Sequence, residues 1–129
     1  MNVVLIDAAN FAGDADFPML NLKKYGWEQY LHIPEGEEEK YIWRCDVIVS
    51  AKDPVNKAML DTAFKVRLIV AAGDSTDHID LDEAKERGIT VCHVPGKDAS
   101  KPEDDRKLCR EVVSAINAFI KGDDYNRVV

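Results

Sequence analysis

Short apolar runs recur along the chain, and each run ends at a polar or small residue. The runs that are richest in β-branched residues predict five strands, at residues 3–6, 27–33, 46–50, 67–72 and 89–94. Most of these runs are apolar at consecutive positions rather than at alternating ones. Such runs are typical of strands that are buried on both faces of a parallel sheet.

The segments between the predicted strands carry helix signals. An aspartate followed by proline at 53–54 resembles a helix start, and Asp80 with Glu83 three residues later resembles a capping box. Glycines and basic residues stand where the segments end, as at Arg44 and Gly88. We therefore expect helices at residues 14–26, 35–44, 53–63, 80–88 and 102–121.

The alternation of strands and helices predicts one α/β domain over residues 1–129, with a parallel sheet covered by helices on both faces. The last helix has apolar residues at helical spacing and should cover the sheet, and residues 97–101 read as a short polar linker before it. Spacing alone does not fix the order of the strands. Ligands of such sheets bind beyond the carboxyl ends of the strands.

Composition narrows the classes of partner. The chain has 129 residues, 46% hydrophobic and 32% charged, with a formal net charge of −7, which argues against nucleic acid and anionic membranes. Cys45, Cys92 and Cys109 form an odd, scattered set, so we expect reduced thiols. The first residues lack the basic start of a signal peptide, and together these features predict a cytoplasmic protein.

Residues 45–96 carry a more specific pattern. The segment from Gly73 to Gly96 reads GDSTDHIDLDEAKERGITVCHVPG. This pattern resembles the substrate-binding ("catalytic") domain of the D-isomer-specific 2-hydroxyacid dehydrogenases, the glycerate, formate and phosphoglycerate dehydrogenases among them. Residues 115–129 resemble the segment that closes those enzymes. The resemblance implies a flavodoxin-like three-layer sandwich with a five-stranded parallel sheet in the order 2-1-3-4-5.

The resemblance also implies where a substrate acid would bind. Members of the family hold the acid partly through backbone amides of the turn after the fourth strand, and a lysine after the third strand lies close to it. By resemblance, the substrate-binding residues are Ser50, Ala51, Lys52, Gly73, Asp74, Ser75 and Thr76. Two of them depart from the family pattern, because Asp74 adds a negative charge beside the carboxylate and Ser75 replaces a usual glycine.

Other parts of the family's machinery have no match. The catalytic arginine, glutamate and histidine of the family lie in or after an inserted NAD-binding domain. In this chain the short linker at residues 97–101 replaces that domain. His32, His78 and His93 lie at other positions than the family's catalytic histidine. The glycines are at 13, 26, 36, 73, 88, 96 and 122, so no G-x-G-x-x-G is possible. We therefore predict no catalytic residues and no cofactor, with NAD bound only if a partner chain supplies the domain.

Two further kinds of site find little support in the residues. Asp74, Asp77, His78 and Asp80 cluster in sequence, but Asp80 is better explained as a helix cap, so no metal site is predicted. A flavin phosphate loop after the first strand needs several hydroxyl donors, and residues 7–13 contain no serine or threonine.

Two hypotheses of function remain. The first is a stand-alone, non-catalytic module that binds a small 2-oxo or 2-hydroxy acid or that dimerises, with Trp27 or Trp43 as an interface residue. The alternative is one part of a split NAD-dependent oxidoreductase whose cofactor domain is on another chain. An engineered excision of the domain is a third reading, and the divergent Asp74 and Ser75 argue against it.

Overall fold

The computed structural model describes residues 1–129 and contains a five-stranded parallel sheet in the order β2-β1-β3-β4-β5. The α/β class and the strand order implied by the resemblance are both confirmed. The strands are β1 Asn2–Leu5, β2 Gly26–Gln29, β3 Val47–Ser50, β4 Leu68–Ala71 and β5 Thr90–Cys92. The helices are α1 Glu38–Ile42, α2 Lys57–Thr62, α3 Leu81–Glu86 and α4 Asp105–Lys121.

The sheet separates two hydrophobic cores, which explains why its strands are apolar at consecutive positions. Val47 and Val49 of β3 face the core that contains α4, whereas Ile48 faces the core that contains α1, α2 and α3. All four residues of β3 and of β4 are buried. Because successive side chains point to opposite faces, both faces need apolar residues.

Helix α4 covers one face of the sheet, as its spacing predicts. Leu108, Val112 and Ile116 are fully buried on one side of the helix. The helix ends at Gly122, whose φ of 84° is left-handed. Its start differs from the prediction, since Pro102–Asp104 form a single 3-10 turn and the α-helix begins at Asp105.

The predicted helix at residues 14–26 is wrong. Residues 14–25 have no regular structure, Gly26 already belongs to β2, and Ala15 has a positive φ of 49°, which interrupts any right-handed helix. Side chains accept two of the backbone amides instead: the Leu20 amide donates to the Tyr25 hydroxyl within the segment, and the Asn21 amide donates to the Asn117 side chain of α4. Burial of Ala15 and Leu20 therefore outweighs the local helix signals.

One of the two predicted caps is confirmed. The Asp80 side chain accepts a hydrogen bond from the Glu83 amide at the start of α3. The predicted start of α2 at Asp53 is wrong, because Asn56 caps that helix by accepting from the Met59 amide. Asn56 is itself a favoured cap residue, and the capping position lies just beyond the Asp53–Pro54 pair.

The last residues of the chain protect an edge of the sheet. Val91 of β5 donates its amide to the Val129 carbonyl at 3.0 Å and accepts from the Val128 amide at 2.7 Å. Cys92 and Arg127 form an antiparallel bridge. This segment covers the open side of β5, which would otherwise present unpaired backbone groups.

None of the helices combines the length and the apolar character needed to cross a membrane.

The three cysteine thiols should be unreactive in the folded protein. Cys45, Cys92 and Cys109 are buried and unpaired. Burial raises their thiol pKa to about 12, about 11 and about 12, respectively. Since the thiolate is the nucleophile, we expect no rapid reaction with a thiol reagent in native buffer and three reactive thiols in denaturant. Rapid labelling of a thiol in the native state would contradict this burial.

Candidate functional site at the carboxyl edge of the sheet

A cleft of about 430 Å³ opens beyond the carboxyl ends of β3, β4 and β5. Three segments form its walls: the loop after β3, the turn after β4, and the segment that leads from β5 to α4. The residues that line it are Ala51, Lys52, Ala72, Gly73, Asp74, Ser75, Asp77, His78, Lys97, Asp98 and Ala99. The cleft therefore lies where parallel α/β sheets bind their ligands.

A buried carboxylate holds the first wall in place. Asp7, at the end of β1, is fully buried, and its oxygens accept hydrogen bonds from the amides of Ala51, Lys52 and Asp53 at 2.9, 2.7 and 2.9 Å. The Asn10 side chain donates a further bond of 2.7 Å. A buried carboxylate needs such partners. Asp7 thus fixes the loop that carries Lys52.

A polar network extends from this carboxylate to the surface. The Asn10 amide group also donates to Asp53, and the other oxygen of Asp53 lies 2.6 Å from His32 Nδ1. The hydrogen bond to Asp53 raises the pKa of His32, and the charge of Asp53 adds to the effect. Protonation of His32 therefore strengthens the contact between the segment after β2 and the loop after β3.

The turn after β4 is locked to the third wall. The Asp74 amide donates to the Lys97 carbonyl at 2.8 Å, and one Asp74 carboxylate oxygen accepts from the Gly96 amide at 2.9 Å. The Asp74 carbonyl lies 2.8 Å from His93 Nδ1. The negative charge of the Asp74 carboxylate is thus partly balanced by the hydrogen bond from Gly96. The Asp74 amide already has an acceptor within the protein.

Two amides of the same turn have no partner within the protein. The amides of Ser75 and Thr76 donate to no protein acceptor. The Ser75 hydroxyl accepts from the Asp77 amide at 3.2 Å, which shapes the turn. Ser75 adopts no positive φ, so its side chain causes no backbone strain. Adjacent free amides at a turn are suited to an anion.

Lysines contribute the positive charge of the cleft. Lys52 is exposed at the first wall. Lys97 at the third wall has a side chain that is only 24% exposed, and its Nζ lies 3.8 Å from Asp104. The Asp98 carboxylate accepts hydrogen bonds from the hydroxyl and the amide of Ser100, and these bonds lower the pKa of the Asp98 carboxyl group. The positive charges of Lys52 and Lys101 lower this pKa further.

The structure brings five of the seven residues inferred from the resemblance into the wall of one cleft: Ala51, Lys52, Gly73, Asp74 and Ser75. Ser50 is fully buried below it, and its hydroxyl donates to the Asp53 carbonyl. Thr76 does not line the cleft either.

Sequence reasoning overlooked Asp7 and Lys97. Lys97 falls in the segment that was interpreted as a linker, although it directly follows the fifth strand and could have been assigned to the same edge of the sheet. Asp7 directly follows the first predicted strand, but no local pattern indicates that it accepts amides of the loop after β3.

The three histidines serve local contacts. His78 Nε2 lies 3.1 Å from the Ser50 carbonyl, and His93 bonds to the turn after β4 as described above. The sequence placed His93 inside a strand, but β5 ends at Cys92 and His93 is half-buried. Asp80 is engaged as the cap of α3.

A second cavity, of about 580 Å³, lies on the other side of the loop after β3. Its floor contains Ile33 and Met59, and Glu35, Glu38 and Asp53 contribute carboxylates to its lining. No lysine or arginine lines this cavity. Because it offers negative charge without a cation, it is less suited to an acid than the smaller cleft.

The strand order and the position of the cleft define a class of protein, an α/β domain with a candidate ligand site at the carboxyl edge of its parallel sheet. The family model for "D-isomer specific 2-hydroxyacid dehydrogenase, catalytic domain" matches residues 28–129. The chain belongs to this family. Residues 93–104 join β5 to α4 and contain only one 3-10 turn, so no nicotinamide-binding domain lies between them.

Characterised relatives agree with this assignment. The chloroplastic/mitochondrial formate dehydrogenase of Arabidopsis thaliana is 32% identical over 99 residues, which are 74% of this chain and 25% of that protein. The glyoxylate reductase of Thermococcus litoralis is 32% identical over 71 residues, or 54% of this chain and 22% of the enzyme. The chain thus spans about a quarter of the length of these enzymes.

Solved structures show the same fold. The TT0316 protein from Thermus thermophilus matches 74% of this chain and 31% of its own with a TM-score of 0.62 at 26% identity. The NAD+-bound 3-phosphoglycerate dehydrogenase of Entamoeba histolytica matches 74% of this chain and 33% of its own, with a TM-score of 0.61 at 22% identity.

Proposed function

We propose that the cleft binds the carboxylate of a small 2-oxo or 2-hydroxy acid and that the chain performs no hydride transfer on its own. The observation that carries the proposal is the unpartnered amide of Ser75, which lines one wall of the cleft, with Lys52 in another wall and the unpartnered Thr76 amide next in the same turn. The amides would donate hydrogen bonds to the carboxylate, and the Lys52 ammonium would balance its charge.

The balance of charge in the lining of the cleft does not by itself favour an anion. Two lysines and three aspartates line the cleft, but the Asp74 and Asp98 carboxylates already accept hydrogen bonds from backbone amides. Lys52 forms no ion pair within the protein. Since an ammonium without a partner gains most from an incoming anion, Lys52 should contribute more to binding than Lys97, which already lies near Asp104.

The chain's own residues do not fit a nicotinamide dinucleotide. The seven glycines offer no G-x-G-x-x-G, and the turn after β1 is occupied by the Asp7 and Asn10 network. In a 2-hydroxyacid dehydrogenase the nicotinamide cofactor would accept the hydride from a 2-hydroxy acid or supply it to a 2-oxo acid. We therefore assign to this chain the binding and orientation of the acid and no step of the redox reaction.

Lys52→Met tests this proposal. The unmodified protein should show a higher unfolding temperature with glyoxylate or D-glycerate in large excess, because a ligand at 100 times its Kd stabilises by about 2.7 kcal/mol. Loss of one charge-assisted contact should weaken the affinity by about tenfold or more, as calorimetry would measure. Lys85→Met, an exposed lysine of α3 outside the cleft, is the matched control and should bind like the parent. Equal affinities of the two variants would contradict the proposed role of Lys52.

A second candidate function is that of a subunit of a split 2-hydroxyacid oxidoreductase. One argument for it is the short connection from β5 to α4, where the resemblance implies an inserted domain. A second argument is that the matched segment covers only about a quarter of the length of a relative such as the formate dehydrogenase. The same thermal experiment separates the two functions when NAD(H) is added. Stabilisation by the acid alone supports the binding module, whereas stabilisation that requires both acid and nicotinamide supports the split enzyme.

A further inference from the structure

We propose that the surface formed by α1, α2 and the residues that follow each of them is the contact between two copies of this chain. We call this surface the Trp43–Phe64 face. It lies on the side of the sheet covered by α1, α2 and α3, away from α4. The inference is independent of the acid-binding cleft, which lies at the edge of the sheet.

Aromatic exposure is the first argument. Trp43 is 45% exposed and lies at the end of the short helix α1. Phe64 is 67% exposed and lies just after the end of the short helix α2. The two rings line a shallow pocket with a volume of about 590 Å³, which Glu39, Lys40 and Asp61 also line. Tryptophan and phenylalanine are enriched in the centres of protein interfaces, where truncating a single aromatic can remove much of the binding energy.

The charges around the rings are the second argument. The Arg44 guanidinium lies 5.8 Å from the centre of the Trp43 ring, and the Lys65 ammonium lies 6.0 Å from the rings of both Trp43 and Phe64. Neither cation forms a salt bridge, and neither does Glu39. The face thus carries unpaired charges of both signs beside exposed aromatic rings.

These charges favour a second copy as the occupant. Each chain carries a net charge of −7, so two copies repel each other wherever acidic surfaces would meet. A two-fold contact pairs a surface with itself and therefore needs both signs on that surface. The Trp43–Phe64 face supplies the cations and the carboxylate together. A uniformly acidic partner would repel Glu39, and a uniformly basic one would repel Arg44 and Lys65.

Sedimentation of apolar-to-acidic variants tests the contact. The parent chain should sediment increasingly as a dimer as its concentration rises, and Phe64→Glu should weaken the association by about thirtyfold or more. Leu31→Glu is the matched control, since Leu31 is an equally exposed apolar residue, 72% exposed, outside the face. Circular dichroism would verify that both variants are folded. A parent that stays monomeric, or variants that dissociate equally, would overturn the proposal.

Charge reversal gives a second test that an unfolded variant cannot mimic. Glu39→Lys makes the unpaired charges of the face entirely positive, and the double variant Arg44→Glu with Lys65→Glu makes them entirely negative. Each variant alone should be monomeric because like charges meet across the two-fold contact. An equimolar mixture should form heterodimers. If the mixture stays monomeric, the face does not pair with itself.

Discussion

Replacing Asp7 by alanine is expected to lower the free energy of unfolding by about 3–5 kcal/mol. The carboxylate is fully buried and accepts the amides of Ala51, Lys52 and Asp53 as well as the Asn10 side chain. Each buried donor that loses its acceptor costs about 1–3 kcal/mol of stability. Water that enters the space left by the carboxylate would accept some of these hydrogen bonds and so reduce the cost. This loss is a large fraction of the stability of a small domain.

Urea unfolding of three variants measures this effect. Asp14→Ala removes an exposed aspartate from the same region of the chain and should leave the midpoint nearly unchanged. Asp7→Asn keeps an acceptor oxygen but loses the negative charge, so its stability should lie between those of the parent and Asp7→Ala. If Asp7→Ala unfolds at the same urea concentration as Asp14→Ala, the carboxylate does not organise the loop after β3.

Gly73→Ala is expected to lower the free energy of unfolding by about 1–3 kcal/mol and to weaken acid binding as well. Gly73 has a φ of 154°, a region that side chains rarely adopt, and an added Cβ would lie 3.2 Å from the Lys97 carbonyl oxygen. The alanine must therefore displace either the turn after β4 or the third wall of the cleft. Movement of the turn changes the distance between the free amides and Lys52, and movement of the third wall changes the shape of the cleft.

Gly88→Ala separates this effect from backbone strain alone. Gly88 has a φ of 72°, but an added Cβ would have no neighbour within 4 Å. This control should lose stability through strain and retain its affinity for the acid, since it lies at the end of α3. Chemical denaturation and calorimetry would be measured on both variants. Equal loss of affinity in Gly73→Ala and Gly88→Ala would mean that the shape of the turn after β4 is unimportant for binding.

Much of the fold could be predicted because the strands are buried on both faces. The predicted strands at 46–50 and 67–72 contain the continuous apolar runs 47–49 and 68–72, and the structure has strands at both places. The order of the strands came from the resemblance and not from the spacing. The helix predicted at residues 14–26 is absent because Ala15 and Leu20 are buried and the Asn21 amide bonds to Asn117, contacts with distant parts of the chain that a local pattern cannot reveal.

The candidate site was only partly predictable for a similar reason. The resemblance pointed to Lys52 and to the turn after β4, both of which are local in sequence. The role of Asp7 depends on its contact with an amide 44 residues away, which exists only because β1 and β3 are neighbours in the sheet. The engagement of Asp74 by Gly96 likewise joins two loops that only the folded sheet brings together.

The most direct test of acid binding in the cleft is a titration of the 15N-labelled protein with glyoxylate, followed through its amide resonances by NMR. We predict that the Ser75 and Thr76 amides shift most, that Lys52→Met abolishes or greatly weakens the shifts, and that amides lining the larger acidic cavity, such as Glu38, do not respond. Shifts confined to other regions of the chain, or no saturable shift of Ser75 and Thr76 at any concentration, would contradict the proposed binding site.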